Sequence, residues 1–121
     1  MLSPPNAFQA YHRVQATRTP REQEAEAFAI AAGRMRLAAT DGTDMDRVRA
    51  RADARRLFMA LRLAVMDPAN QLPVPLRASI ISVCDAALRE AEQEKADFEF
   101  LAGLCDDFRI GLSTPVASSA A

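Results

Sequence analysis

Tryptophan is absent from this sequence, and tyrosine, histidine and lysine occur once each, as Tyr11, His12 and Lys95. A lone histidine, with no second histidine, cysteine pair or suitably spaced glutamate, makes neither a metal site nor an acid–base pair. A lone lysine with no glycine-rich run before it excludes a phosphate-binding loop. The only two cysteines, Cys84 and Cys105, fall on apolar helical faces. They read as buried thiols, not as a disulfide framework. No charge-free apolar run approaches the length of a membrane span. Residues 1–20 include Pro4, Pro5 and Asn6 and carry no signal-peptide pattern. A cytoplasmic location is the simplest expectation.

Charge of one sign is also missing. The net charge is −1, so no overall field favours nucleic acid or an anionic membrane. Its distribution is uneven. Residues 1–66 hold eleven arginines against seven acids, and residues 67–121 hold four basic residues against nine acids. Two solvated faces are the simpler reading of that asymmetry, ahead of a basic binding surface.

What is abundant is helix-forming sequence. Half of the 121 residues are hydrophobic, much of that alanine, a strong helix former that adds little core volume. After Pro4-Pro5, Asn6 can cap a helix opening at Ala7 and ending near Thr17. Phe8, Tyr11 and Gln15 share one face of it, with Val14 beside them. Thr19-Pro20-Arg21-Glu22 is a strong start for a second helix: a capping threonine, a proline at the first position and a glutamate able to reach back. Ala25, Phe28, Ala32, Met35 and Ala39 form a narrow apolar seam behind it, with Gly33 as a point of close approach. That helix should stop near Thr40.

Asp41, Asp44 and Asp46 loosely suggest a calcium loop, but the glycine is misplaced and the terminal glutamate is missing. Asp44 is expected to cap a third helix running to Met66. Its core face is Ala54, Leu57, Phe58, Leu61, Ala64 and Val65, extended backwards by Val48 and Ala52. Arginines 47, 49, 51, 55, 56 and 62 spread over its other faces. Interspersed aspartates, and no aromatic placed to stack on a base, disfavour nucleic-acid binding there.

Three prolines then interrupt the chain within residues 67–77. Leu72, Val74 and Leu76 are expected to tuck into the bundle, with Pro75 in the first turn of a fourth helix running from about Val74 to Lys95. The polar turns from Arg89 to Lys95 should project from the core. Near Asp97, a possible cap, the apolar phase resets, and Phe98, Leu101, Cys105, Phe108 and Leu112 make a last stripe. No segment reads as a strand. The expected fold is all-α: a compact bundle of about five helices with short connections. Residues 1–112 form a single helical domain, and residues 113–121 a disordered C-terminal tail.

No Ser/His/Asp or Cys/His arrangement is present. Asp106-Asp107 and the pair Glu90 and Glu94 could be read as acid–base candidates. Adjacent aspartates on a helix point apart, and the glutamates lie on a polar face, so both read as surface charge. The expectation is a protein that is not an enzyme, with no catalytic residue, cofactor or metal.

Three blocks resemble the FlaF family of flagellar-biosynthesis proteins. The first is Asn6-Ala7-Phe8 with Tyr11, followed by Thr19-Pro20-Arg21-Glu22 and Glu24-Ala25. The second is Arg55-Arg56-Leu57-Phe58. The third, and most specific, runs from Asn70-Gln71-Leu72-Pro73-Val74-Pro75-Leu76-Arg77 through Ala78-Ser79-Ile80-Ile81-Ser82-Val83. The resemblance implies a cytoplasmic secretion chaperone that binds flagellin, through the terminal helical segments of that client, and supports its synthesis and export. It also implies work with or against the FlbT regulator. The alternative is a post-transcriptional regulator of flagellin expression acting through RNA or a protein partner; membrane binding is not expected. A client helix would need an apolar groove. Phe8, Tyr11, Phe28, Met35, Leu72 and Leu76, where the first two helices meet the proline segment, are the candidate partner-binding residues.

Overall fold

A computed structural model describes residues 19–113. Four helices fill this span: α1 (Pro20–Thr40), α2 (Asp44–Met66), α3 (Val74–Ala91) and α4 (Phe98–Ser113). No strand occurs among the described residues. The expected helix opening at Ala7 and the tail beyond Ser113 lie outside them.

Local chemistry sets the helix boundaries. Thr19 is extended, and its Oγ1 accepts from the Glu22 N–H at 3.1 Å, with Pro20 at the start of α1. The cap of α2 is Thr43, not Asp44. Thr43 Oγ1 accepts from the Asp46 N–H at 3.1 Å, and Asp46 Oδ2 accepts from the Thr43 N–H at 2.8 Å. This reciprocal box satisfies two donors where Asp44 alone would satisfy one. The two bonds to Thr43 also hold the Asp46 carboxyl below the usual range. Gly42 lets the connection turn tightly under α1. A Cβ there would lie 2.7 Å from Ala38 Cα and 2.9 Å from Leu37 O. Both are backbone atoms, so Gly42→Ala should destabilise the fold by about 1–3 kcal/mol in urea denaturation; an unchanged midpoint would contradict this packing.

Polar contacts between helices mark an up-and-down arrangement. Arg62–Asp85 at 2.7 Å and Arg55–Glu92 at 2.6 Å tie α2 antiparallel to α3. Arg21 donates to the Gly111 carbonyl at 2.8 Å, and Arg36 pairs with Asp106 and Glu99, so α1 runs antiparallel to α4. The α1–α4 and α2–α3 packings are the most extensive, whereas α3 and α4 barely touch.

The core follows a helical stripe on each element. Phe58, Met35, Leu101, Cys84 and Cys105 are fully buried, and small residues such as Ala32, Ala50, Ala54, Ala87 and Ala102 let the helices approach. Phe28, Phe58 and Phe108 form a triangle across α1, α2 and α4, with centroids 5.7–6.4 Å apart. Such contacts add to plain area burial.

Several expectations shift by a fraction of a turn. Ala38, not Ala39, closes the α1 seam, and Ala50 and Asp53 are buried where Val48 and Ala52 were expected. Val48 sits six residues before Ala54, off the face of a 3.6-residue helix. Gly33 faces open space. The polar turn after α3 does not project freely: Arg51 donates to the Gln93 carbonyl at 2.8 Å, and Glu90 Oε1 accepts from the Asp97 N–H at 2.8 Å. Asp97 Oδ1 in turn accepts from the Phe100 N–H at 2.9 Å, opening α4.

Both thiols are free and buried. Burial pushes Cys84 up to about 11 and Cys105 up to about 12, and the Cys105 S–H donates to Met35 Sδ at 3.7 Å. The thiolate is the reactive form. A thiol reagent at about pH 8 should therefore label neither cysteine until denaturant is added; prompt labelling of the native chain would contradict their burial.

Candidate functional site

An apolar groove lies at the end of the bundle where α1 and α3 begin and α2 and α4 finish. Its volume is about 590 Å³. The floor is formed by core residues, with Phe28 from α1, Val65 from α2 and the partly buried Leu61 from α2 and Phe108 from α4. Leu57, Leu61, Ala64 and Val65 reach it because positions three and four apart share one side of α2. Leu76 and Ile80, four apart, do the same from α3.

One wall is the proline segment, and its conformation is set by side chains. Asp67 leaves α2 in an extended conformation. Asp67 Oδ1 accepts from the Ala69 N–H at 2.9 Å, and Asn70 N–H donates to the Asp67 carbonyl at 2.9 Å. Asn70 then works in both directions. Its Nδ2 donates to the Ala64 carbonyl at 3.1 Å, satisfying an end of α2, and its Oδ1 accepts from the Leu72 N–H at 2.9 Å. These turns hold Leu72 at the groove edge and out of the core. Leu72, Leu76 and Val74 are 38 %, 46 % and 65 % exposed, against the expectation that they tuck in.

Two of the groove's lining residues are charged, Glu24 and Asp107, and both are acids. The neighbouring Asp106 is engaged elsewhere, by Arg36 and Arg109. Its hydrogen bond from Arg36 holds its carboxyl below the usual range. A carboxyl depressed in the folded state contributes stability that is complete above the unfolded pKa and is lost as pH falls through the folded one. Asp106→Asn should therefore flatten the fall in urea midpoint between about pH 5 and pH 2; equal slopes in the two chains would contradict it.

A second, smaller depression of about 380 Å³ lies between α1 and α2. At its base Asp53 is buried, accepting from Arg34 at 3.1 Å and from Arg56 at 2.7 Å. The remaining arginines of α2 are also engaged in several cases. Arg47 pairs with Asp44, Arg51 with backbone carbonyls after α3, Arg55 with Glu92 and Arg62 with Asp85. Of the two acidic pairs, Asp106 is locked in an ion pair and Glu90 caps a turn. Among the described residues no group of three or more His, Cys, Asp or Glu could hold a metal ion, and no helix is long and apolar enough to cross a membrane.

Of the candidate partner-binding residues, the groove brings together Phe28, Leu72 and Leu76. Met35 is fully buried two turns further along α1, beside Cys105, and lines no part of it. Phe8 and Tyr11 lie outside the described residues. Sequence reasoning missed Leu61, Val65 and Phe108 as groove residues, having assigned them to the core. Their periodicity signalled burial, but not that they border a groove at this end of the bundle.

Comparison with curated proteins, and with solved structures, finds no match. A family model described as flagellar protein FlaF matches residues 7–106, a span covering all of α1, α2 and α3, the proline segment and half of α4. This chain belongs to the FlaF family of flagellar proteins.

Proposed function

We propose that this chain is a cytoplasmic secretion chaperone that binds flagellin, supports its synthesis and export, and performs no chemistry of its own. The observation that carries this reading is an apolar groove among the described residues of a member of a flagellar family. An amphipathic helix lays its apolar face into such a groove through anchors at i, i+3, i+4 and i+7. Terminal flagellin segments, helical and amphipathic in the assembled filament, have that chemistry. Holding one in the groove would keep its apolar face out of water before export. Any influence on translation, including through the FlbT regulator, would then follow from whether the groove is occupied. Contact with RNA is the weaker reading, because Arg47, Arg51, Arg55, Arg56 and Arg62 already serve neighbouring groups.

The test is a titration of labelled N- and C-terminal flagellin segments from the same genome, read by fluorescence anisotropy. Saturable binding of at least one segment at micromolar protein is expected. If neither segment binds, and full-length flagellin does not co-purify, the chaperone reading fails.

A further inference from the structure

We propose that the groove is a docking site for the chain's own residues 7–17, which an incoming helix must displace. Three observations point to this occupant. The first is continuity. Thr19 opens α1, and Glu24, Ala27 and Phe28 in the following turns already line the groove. Arg21 donates to the carbonyl of Gly111, itself a lining residue. The chain therefore enters α1 beside the groove. An eleven-residue helix is about 16 Å long, and a tether this short places it at an effective concentration on the order of millimolar.

The second is pattern. Phe8, Tyr11 and Val14 recur every three residues in the sequence. On a helix Phe8 and Tyr11, three apart, would share one face with Val14 beside them, a spacing that a groove of this kind accepts. Its floor already holds Phe28 and Phe108, stacked 5.7 Å apart, which offers aromatic surface to Phe8 and Tyr11.

The third is charge. Residues 1–18 contain Arg13 and Arg18 and no acid. The charged lining residues Glu24 and Asp107 are acids, and both are exposed. The segment and the rim are complementary in sign, which favours and orients docking.

The docking stands independently of the flagellin assignment, whereas its effect on client affinity rests on that reading. A groove filled intramolecularly lowers apparent client affinity by the fraction of chains left open. Displacement then makes client binding a release of the segment.

The experiment places a photo-crosslinking benzoylphenylalanine at Tyr11 of the full chain, irradiated at high dilution. The expected product is an intramolecular crosslink to peptides containing residues 57–65, 72–80 or 107–111. Crosslinks only between copies, or only to other surfaces, would overturn the proposal. A second measurement uses the unlabelled double variant Phe8→Ala/Tyr11→Ala. It should bind an apolar fluorescent dye several-fold more strongly while still unfolding cooperatively, and should bind the client segment about tenfold more tightly. Unchanged dye binding in a folded variant would count against the docking. The groove crosslink, together with a client segment that binds neither chain, would support the docking and remove the chaperone reading.

Discussion

Replacing Phe58 with alanine should destabilise this protein by about 3–5 kcal/mol, the largest effect expected of any single substitution here. Phe58 is the largest fully buried side chain among the described residues. Its ring meets Phe28 edge-on at 6.4 Å and Phe108 at 6.2 Å, joining α1, α2 and α4 at one point. The surrounding residues sit on rigid helices, so the cavity left by the ring cannot collapse freely. Small domains hold only about 5–15 kcal/mol in total, so much of the reserve would go. The urea midpoint should fall with the slope unchanged. Phe100 supplies the control. It is half-exposed on α4, and its alanine variant should stay within about 0.5 kcal/mol of the parent. A Phe58→Ala chain as stable as Phe100→Ala would mean that the aromatic triangle does not organise the bundle.

The second large effect is on binding. Leu72→Asp and Leu76→Asp each put a carboxylate on the groove wall, and together they should weaken flagellin-segment binding at least a hundredfold. Burying a leucine contributes about 1.5–3 kcal/mol when complete, and a carboxylate opposite an apolar helix adds a desolvation cost. Both leucines are substantially exposed in the free bundle, so folding should change by less than about 1 kcal/mol. That separation of effects is the diagnostic feature. Binding at parental strength in the folded double variant would place the client elsewhere. Equal loss of binding and of stability would return these leucines to the core.

The sequence made the helices legible because their signals are local. Thr19-Pro20 opens α1, Asp67 closes α2, and the phase reset at Asp97 opens α4. The threonine cap of α2 was misread by one residue, since Thr43 and Asp44 are both good capping types and the choice turns on Asp46 reaching back. Burial of Asp53 was not legible. It depends on Arg34, nineteen residues earlier on another helix, as well as on Arg56 one turn away. The proline segment shows the same limit. Its apolar spacing suggested core, whereas the Asp67 and Asn70 turns hold Leu72 at the rim. The groove itself arises where the start of α1 and the end of α4 meet α2 and α3, a convergence that no single stretch of sequence encodes.

The proposed site for a flagellin helix is this end of the bundle. Backbone amide chemical shifts recorded while a flagellin segment is titrated into the isotope-labelled chain test it most directly. The largest changes are expected to cluster at residues 57–65, 70–80 and 107–111. Saturable binding whose changes instead centre on the outer faces around Ile30, Leu37 and Val48 would contradict it.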